Sequence, residues 1–399
     1  MDASAAPATR MTPLERRTVT VLALIYALRM VGMFMVLPVL ALYARDFGVP
    51  ATPLQIGLAI GIYGLAQAAL QMPLGWLSDR IGRRPVVIAG LLIFAAGSFI
   101  AGSADTIEGL LLGRLVQGMG AVSAAVSAWL ADATRVEVRT TAMAILGAGM
   151  GVAFILALAL GPVVASWIGV DGIFWMTGIA ALLALPLVMK AVPVVSLGAP
   201  TKGGLAKVWR DTELMRFNGG IFLLHGTMAM LFIALPLVLV DQLGLPQAQH
   251  WKVYLPVLML SIVPVFPLIR WAEREGRMRT VFVAAVATLA STLTVLALGY
   301  SLFWAVMTGL LLFFVAFNFL EGALPSLISR QAPAAFKGAA LGVYASSQFL
   351  GGFAGGVLGG IALGWGGAAA VFAGAATLPL LWLGFAWGMR APDLTSRAH

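Results

Sequence analysis

The stretch GWLSDRIGRRP, residues 75–85, places charged side chains between two long apolar segments. These charges are Asp79, Arg80, Arg83 and Arg84. Each flanking segment is long and apolar enough to cross a lipid bilayer, and Lys and Arg accumulate in short loops on the cytoplasmic side of a membrane. We therefore predict that residues 75–85 form a cytoplasmic connection between two membrane-spanning helices.

The composition of the whole chain is typical of a membrane protein. Of 399 residues, 61% are hydrophobic and 10% are charged, whereas about a quarter of a soluble domain is charged. The sequence contains no cysteine, which excludes disulfides and thiolate chemistry. Three histidines, His225, His250 and His399, do not by themselves form a conventional zinc site. We expect no cofactor and no metal, and we attribute the net charge of +9 to cytoplasmic loops rather than to nucleic-acid binding.

The apolar segments predict twelve membrane-spanning helices, because each crossing needs about 20 mainly apolar residues. The strands of a membrane barrel would be shorter and would alternate with a period of two, so we predict an all-α membrane protein. In chain order, the predicted spans 1–12 are residues 18–42, 54–77, 85–104, 108–131, 140–166, 172–193, 215–242, 250–270, 280–299, 301–328, 338–363 and 367–389.

The distribution of Lys and Arg predicts the orientation of these spans. If both termini are cytoplasmic, only Arg45 and Lys252 fall on the outer side, and only Arg29 and Arg114 fall within spans. This asymmetry follows the positive-inside rule. We predict an integral protein of the bacterial inner (plasma) membrane whose polar N-terminal segment is a retained cytoplasmic tail rather than a signal peptide.

The longest polar interval between spans divides the chain into two sets of six helices. The predicted regions are a cytoplasmic N-terminal tail (1–17), an N-terminal six-helix bundle (18–193), a cytoplasmic linker (194–214), a C-terminal six-helix bundle (215–389) and a cytoplasmic C-terminal tail (390–399).

The two halves also share a faint sequence repeat. The stretch IRWAEREGRMR, residues 269–279, lies between the second and third spans of its half, as residues 75–85 do, and Asp79 aligns with Glu273. Parallel repeats of this kind belong to transporters built from two similar halves around a central site. We therefore predict two six-helix bundles related by a pseudo-two-fold axis.

Three segments resemble the signature motifs of the major facilitator superfamily. Residues 75–85 resemble its motif A, RLVQGMGA at 114–121 resembles motif B, and GAGMGVAFILALALGPVVAS at 147–166 resembles motif C, which is associated with drug/proton antiporters. The segments LRMVGMFMVLPVL, HWKVYL and LFFVAFNFLE are similar to the YajR-like branch of the superfamily. That branch often carries a small cytoplasmic domain after the last helix, and we expect this chain to lack it.

The resemblance implies a conformational latch on the cytoplasmic side, formed by Gly75, Asp79, Arg80, Gly82, Arg83, Arg84 and Asp132. Asp79 could pair with the arginines of its own loop or with the positive N-terminal end of a helix in the other half. The superfamily implies the second partner, at the start of span 11, and it implies a contact between Arg83 and Asp132. The alternative is that the arginines only enforce topology.

Four ionisable residues lie at bilayer depth, one each in spans 1, 4, 7 and 10: Arg29, Arg114, His225 and Glu321. Such residues are costly in a membrane and are usually functional. The resemblance implies that spans 1, 4, 7 and 10 line the central cavity. We group the four residues, together with Asn318, as a proton-coupling and cavity set.

Each member of this set has an alternative interpretation. Glu321 is our candidate proton carrier, but it could instead form a structural hydrogen bond to the backbone or to Asn318. Arg114 occupies the motif B position implicated in proton coupling, or it clamps carbonyl groups between helices. Arg29 could serve as a counter-ion to Glu321 or to a substrate anion. His225 titrates in a useful range, or it is a hydrogen-bonded packing residue.

Small and flexible residues predict how the helices move and what the cavity holds. In motif C these are Gly147, Gly151, Gly161 and Pro162, and span 11 is also rich in glycine. We interpret spans 5 and 11 as sliding or sealing surfaces, although plain close packing of helices in lipid explains each glycine equally well. The Met and aromatic residues of spans 1, 7 and 10 suit apolar or cationic organic molecules.

These observations predict a proton-coupled secondary transporter that exports small hydrophobic or amphipathic compounds by alternating access. The alternative is a symporter or uniporter for a sugar, an amino acid or another metabolite. The sequence lacks a nucleotide-binding GxxxxGK[ST] loop, so ATP is not the expected energy source. It also lacks a dedicated catalytic cluster, so we do not expect an enzyme. The expected partners are a small-molecule substrate, protons and the lipid bilayer, and we expect a monomer.

Overall fold

The computed structural model describes residues 10–193, 204–274, 276–333 and 336–389. These residues form α-helices joined by short connections, with one 3-10 turn at Gln247–Gln249 and, within the described ranges, no β-strand. Residues 194–203 of the predicted linker lie outside the described residues, as do residues 1–9 of the N-terminal tail and the whole predicted C-terminal tail, which includes His399.

Ten helices of the described residues are long and apolar enough to cross a membrane. Two of them, Val136–Ala191 and Lys337–Ala386, contain 56 and 50 residues. If straight, they would measure about 84 and 75 Å, more than twice the thickness of a bilayer core. Each is interrupted by a glycine with positive φ, Gly169 at +75° and Gly367 at +62°. Division at these glycines gives twelve crossings, as the sequence predicts.

We number the crossing helices α1–α12, and they correspond to the predicted spans 1–12. Their bounds are α1, Pro13–Met35 with Leu37–Arg45; α2, Pro53–Ile81; α3, Arg83–Gly102; α4, Ile107–Met119 with Ser123–Asp132; α5, 136–168; α6, 170–191; α7, Thr212–Asp241; α8, Trp251–Ile262 with Val265–Arg274; α9, Met278–Gly299; α10, Phe303–Gln331; α11, 337–365; and α12, 368–386.

The predicted linker is more ordered near its end than the sequence indicates. A short helix spans Gly204–Arg210, and α7 already begins at Thr212. The Asp211 carboxylate accepts hydrogen bonds from the backbone N–H groups of Glu213 and Leu214, at 2.9 and 3.0 Å. This side chain caps the helix because the first N–H groups of a helix have no partner within it.

Local sequence also explains how α1, α2 and α3 begin. Thr12 and Thr52 form capping boxes with Glu15 and Gln55, and a proline follows each threonine. Gly82 separates α2 from α3 with φ at +102°, a conformation that is almost restricted to glycine. A tight turn at Gly82 is what places the charges of motif A on two adjacent helix ends.

Helix α11 forms the main contact between the two halves. It packs on α7 of its own half and on α2 of the other. A methyl group added at Gly61 would lie 2.9 Å from the carbonyl oxygen of Phe353, and one added at Gly64 would lie 2.6 Å from that of Phe349. We call this contact the α2–α11 seam, formed by Gly57, Gly61 and Gly64 of α2 and by Phe349, Phe353, Gly356 and Gly360 of α11.

Candidate functional site

A cavity of about 130 Å³ lies between the two halves. Side chains of α1, α2, α4 and α5 line it from the first half, and side chains of α7 and α11 line it from the second. The sequence interpretation correctly named α1, α4 and α7, but α10 contributes no lining residue among the described residues. The inner surface of α10 instead packs against aromatic residues, since Phe317 stacks on Phe154 of α5 with ring centroids 6.2 Å apart.

The walls of the cavity are mostly apolar, and only some of the candidate Met and aromatic residues reach it. Those that line the cavity are Met30, Met33, Phe34 and Met228. Those that are buried in the helix packing instead are Met35, Met230, Phe232, Phe313, Phe314 and Phe317. The sequence pattern could not separate the two groups, because a shift of one residue along a helix turns a side chain by about 100°.

Glu321, Gln348 and His225 form a polar cluster beside the cavity. The Gln348 side-chain amide donates a hydrogen bond to Glu321 Oε1 at 3.1 Å, and its nitrogen lies 2.8 Å from His225 Nε2. Glu321 Oε2 is buried without a hydrogen-bond partner and lies 3.9 Å from His225 Nε2. Of the three residues, His225 and Gln348 line the cavity. The cluster therefore joins α7, α10 and α11.

The sequence interpretation did not include Gln348, although it is the one side-chain amide in the sequence of span 11. The interpretation also paired Glu321 with Asn318 as one alternative, and this pairing is wrong. Asn318 donates a hydrogen bond to the Ser261 hydroxyl of α8 at 3.0 Å. Asn318 therefore ties α10 to α8, and α11 supplies the partner of Glu321.

Arg29 and Arg114 form a second polar cluster, on the first half. Arg29 donates hydrogen bonds to the Ser123 hydroxyl at 2.9 Å and to the Tyr63 hydroxyl at 2.8 Å. Arg29 has no ion pair with Glu321 among the described residues, so the expected counter-ion contact is absent there. Tyr63 had no place in the sequence interpretation.

Arg114 has the geometry of a carbonyl clamp. Its Nε donates to the backbone carbonyl of Ala59 on α2 at 3.3 Å, and its Nη1 donates to Gln117 Oε1 at 2.7 Å. The guanidinium group also lies over the Tyr63 ring, 4.9 Å from the ring centroid. Arg29 and Arg114 are each only 3% exposed, and both contact Tyr63. The two arginines thus converge on one side chain of the cavity wall.

The motif A arginines have distinct partners. Arg83 forms an ion pair with Asp132 at 2.9 Å, the contact that the resemblance implied, and a second ion pair with Asp79. The Arg80 guanidinium lies 3.7 Å from the centroid of the Trp76 ring, and Arg84 donates to the Val192 carbonyl. The Arg83 contacts therefore bind together the ends of α2, α3 and α4 that the sequence places on the cytoplasmic side, all within one half.

The expected contact of Asp79 with the start of α11 is absent from the described residues. Asp79 pairs with Arg83 of its own loop, and Phe336, the N-cap residue of α11, makes no capping hydrogen bond with its side chain. Gly75 takes part through its carbonyl group, which accepts a 2.6 Å hydrogen bond from the Ser78 hydroxyl. The Ser78 hydroxyl in turn accepts a 2.7 Å hydrogen bond from Arg83.

The second half carries a comparable group of charged side chains. Glu273, which aligns with Asp79, accepts a hydrogen bond from Arg330 at the end of α10 at 2.7 Å. Arg277 lies over the Trp271 ring at 5.4 Å, much as Arg80 lies over its own tryptophan. The two halves therefore share the types of contact, an ion pair and an arginine over a tryptophan, but aligned residues differ in their partners, since Arg277 aligns with Arg83 and not with Arg80.

The motif C glycines differ in their surroundings. A methyl group added at Gly161 would overlap the carbonyl oxygen of Met35 on α1, whereas one added at Gly147 or Gly151 would meet no atom within 4 Å. Pro162 follows Gly161 inside the long helix. Close packing thus explains Gly161, and the open surface of α5 at Gly147 and Gly151 leaves room for another surface to approach.

At the opposite end of the molecule, an ion pair joins the two halves. Arg45 at the end of α1 donates to Asp241 at the end of α7 at 2.7 Å. Sequence reasoning noted Arg45 only as an exception to the charge asymmetry and did not consider Asp241. Opposite charges at the ends of two spans on the same predicted side could have signalled this pair.

Helices long and apolar enough to cross a membrane, with a cavity between two halves, are typical of membrane transporters. Residues 22–356 match the sequence profile of the Major Facilitator Superfamily, and the chain belongs to this superfamily of transporters. It is similar to the inner membrane transport protein YajR of Escherichia coli K12, with 44% identity over 393 residues, 97% of this chain and 86% of YajR.

Two further similarities cover most of the chain. The chloramphenicol resistance protein CraA of Acinetobacter baumannii is 31% identical over 286 residues, 67% of this chain and 66% of CraA. The crystal structure of the nucleoside transporter NupG, as its D323A mutant, superposes with a TM-score of 0.76 at 14% identity and covers 93% of this chain and 99% of NupG. The NupG match shows the fold alone. The chain is thus an integral membrane transporter for small molecules and not an enzyme.

Proposed function

We propose that this protein is a proton-coupled secondary transporter that exports small hydrophobic or amphipathic compounds by alternating access. The observation that carries the proposal is the cluster of Glu321, Gln348 and His225 beside the cavity. A carboxyl group at this depth is costly unless it serves a function. Its position next to the cavity allows its protonation to respond to what the cavity holds.

The hydrogen bonding of Glu321 supports both protonation states. In the ionised state, Oε1 accepts the hydrogen bond from Gln348. In the protonated state, the buried Oε2 can carry the proton toward His225, whose Nε2 lies 3.9 Å away. A carboxyl group that alternates between these states can bind a proton on one side of the membrane and release it on the other.

Helix α11 provides the connection between this proton site and the conformation of the protein. Gln348 contacts Glu321, and the next residue, Phe349, presents its carbonyl oxygen to Gly64 in the α2–α11 seam. The Phe349 ring also packs edge-on against Tyr63, with centroids 6.5 Å apart. A change in the contact between Glu321 and Gln348 therefore acts on the surface along which the two halves meet.

The contacts at the two ends of the molecule fit a conformation closed on the outer side. Arg45 and Asp241 join the halves at that end. At the cytoplasmic end, Arg83 binds carboxylates of its own half. The latch forms when Asp79 turns toward the start of α11 and the cytoplasmic side closes. Asp79→Asn is then expected to weaken transport while expression and membrane insertion stay normal.

The substrate class rests on the cavity walls and on one relative. Methionine and aromatic side chains suit hydrophobic and amphipathic molecules, and the relative CraA is named as a chloramphenicol resistance protein.

Similarity to YajR supports placement in the bacterial inner membrane. The charge asymmetry supports cytoplasmic termini. The cavity lies within a single chain, so we propose that the transporter works as a monomer.

A proteoliposome assay with a pH-sensitive dye trapped inside tests the proposal. Candidate substrates such as chloramphenicol, lipophilic dyes, sugars and amino acids are added to vesicles that hold a pH gradient. Proton movement opposite to the movement of a hydrophobic compound is expected. Proton movement in the same direction as a sugar or amino acid, with no response to hydrophobic compounds, would instead establish the symporter alternative.

Two matched variants assign the proton site. Glu321→Gln removes the ionisable group of the cluster, and Glu137→Gln removes a carboxylate from the exposed first turn of α5. Loss of gradient-driven transport in the first variant alone is expected. Equal transport by the two variants would move the proton site away from Glu321.

A further inference from the structure

The two arginines of the first half are buried without a carboxylate partner. Arg29 and Arg114 are each 3% exposed. The hydrogen bonds of Arg29 go to two hydroxyl groups, and those of Arg114 go to a backbone carbonyl and a side-chain amide. Among the described residues, neither arginine has an ion-pair partner within 4.0 Å.

This arrangement is unusual because a guanidinium group stays charged in proteins and is expensive to bury unpaired. Neutral hydrogen-bond partners leave the charge of each guanidinium group uncompensated, and the buried Nε of Arg29 has no hydrogen-bond partner among the described residues. Buried charges in proteins are normally paired, and at membrane depth unpaired ones mark ligand or ion pathways. Two adjacent unpaired cations therefore indicate a site whose counter-ion is a ligand.

Arg114 contacts the cavity directly, and Arg29 acts on it through the hydroxyl groups to which it is hydrogen-bonded. Arg114, Tyr63 and Ser123 line the cavity, and Arg29 lies behind Tyr63 and Ser123. The Tyr63 hydroxyl oxygen accepts from Arg29 and, at 2.8 Å, from Gln67. An oxygen that accepts two hydrogen bonds is left with its own proton to donate. That O–H group, polarised by Arg29, can donate to an anion in the cavity.

The rest of the cavity complements this positive end. Met30, Met33 and Met228 provide an apolar wall. Glu321, the carboxylate that the sequence places deep in the membrane, is not among the lining residues and is hydrogen-bonded to Gln348 on the side of the second half. The cavity therefore offers charge of one sign at one end and an adaptable apolar surface along its length.

We propose that the cavity binds amphipathic organic anions, with a carboxylate or sulfonate group held by Arg114, Tyr63 and Ser123 and an apolar body held by the methionines. The Met and aromatic content alone suits apolar or cationic molecules, and this assignment replaces the cationic alternative with an anionic one. It rests on the proposed function only in that this cavity is taken as the transport site. It does not depend on proton coupling or on the direction of transport.

The wild-type protein tests the assignment with three probes that share one apolar body. These are naphthalene-2-sulfonate, the neutral naphthalene-2-sulfonamide and the cationic 2-naphthylmethylammonium. Their affinities are measured by titration calorimetry on the purified protein in detergent, without any ion gradient. The sulfonate is expected to bind at least about tenfold more tightly than either other probe. Ammonium binding as tight as that of the sulfonate, or no sulfonate binding at all, overturns the proposal.

Variants then locate the charge. Arg114→Gln should reduce sulfonate affinity by about tenfold or more and leave sulfonamide affinity within about twofold. Lys252→Gln removes one cation from the exposed outer surface and should change neither affinity. Tyr63→Phe retains the ring and removes the donated proton, so it should also weaken sulfonate binding selectively. If Arg114→Gln and Tyr63→Phe both keep the wild-type preference, the proposal is wrong.

Equilibrium binding separates this inference from the proposed function. If the proton-flux assay fails but the sulfonate binds selectively, the cavity is an anion site of a transporter with a different energy source. If the flux assay confirms proton-coupled export but the ammonium probe binds most tightly, only the anion assignment is wrong.

Discussion

The α2–α11 seam predicts that a single methyl group can change the resting conformation. Gly57 lies near the end of α2 that we place on the outer side, and a methyl group at this position would overlap the carbonyl oxygen of Gly356 and lie 2.8 Å from the Cα atom of Gly360. Both obstacles are backbone atoms, which cannot rotate away as a side chain can. Gly57→Ala therefore forces the outer ends of α2 and α11 apart.

The size of the effect follows from the cost of overpacking. Extra methyl groups in a tightly packed interface cost about 1–3 kcal/mol. In the proposed alternating access, rocking of the halves separates α2 from α11 at the outer end, so the cost is expected to apply only to the conformation that is closed there. The population open to the outside should then rise by about 5- to 150-fold. The greater helix propensity of alanine over glycine stabilises both conformations equally, so it does not change the ratio of their populations.

A thiol-labelling assay measures this population, and because the sequence contains no cysteine, an introduced cysteine is the only thiol that the reagent can label. A cysteine introduced in place of Ala229, on the α7 wall of the cavity, is labelled from the outside with a membrane-impermeant thiol reagent. The labelling rate measures the fraction of protein that is open to that side. Gly384→Ala, at a position where an added methyl group meets nothing within 4 Å, is the control. An unchanged or slower rate in Gly57→Ala, or an equal acceleration in the control, would refute the reasoning.

Three further predictions concern the charged ends and the motif A turn. Arg45→Gln should accelerate the same labelling by about 1.5- to 5-fold, because a half-exposed ion pair is worth about 0.2–1 kcal/mol. Adding Asp241→Asn to this variant should have no further effect, and a clear additive effect would argue against the ion pair. Gly82→Ala should destabilise the protein by about 1–3 kcal/mol, seen as a lower melting temperature, because of its φ value; an unchanged melting temperature would contradict this. Arg83→Gln should lower the free energy of unfolding by about 1–3 kcal/mol, because it leaves Asp132 without its arginine. Arg83→Lys should recover only part of this stability, and full recovery would show that the geometry of the arginine is unimportant.

The sequence allowed the fold to be predicted because a membrane imposes simple rules. Each crossing needs a long apolar segment, and Lys and Arg stay on one side. These rules are local, so span boundaries could be read without knowing any contact. Even the continuous helices Val136–Ala191 and Lys337–Ala386 were correctly divided, since their length exceeds any bilayer. Motif resemblance added one long-range contact, that between Arg83 and Asp132.

The candidate site was only partly predictable because it depends on how helices rotate and approach one another. Asn318 and Glu321 are three residues apart on α10, a spacing that usually brings side chains together. In the structure they diverge, Asn318 toward Ser261 and Glu321 toward Gln348. Tyr63 likewise gains its importance only because α1 and α4 bring two arginines to it. None of these relations leaves a periodic or compositional trace in the sequence.

The central claim is that the two halves rock about the cavity under the control of Glu321. The most direct test measures the distance between two spin labels by double electron–electron resonance, for two pairs of exposed positions. The outer pair is Val49 and Gln242, and the cytoplasmic pair is Val136 and Lys337. On transfer from alkaline to acidic buffer, we expect one distance to lengthen while the other shortens, and Glu321→Gln should abolish the response. Parallel changes at both ends, or a full pH response in Glu321→Gln, would contradict the account.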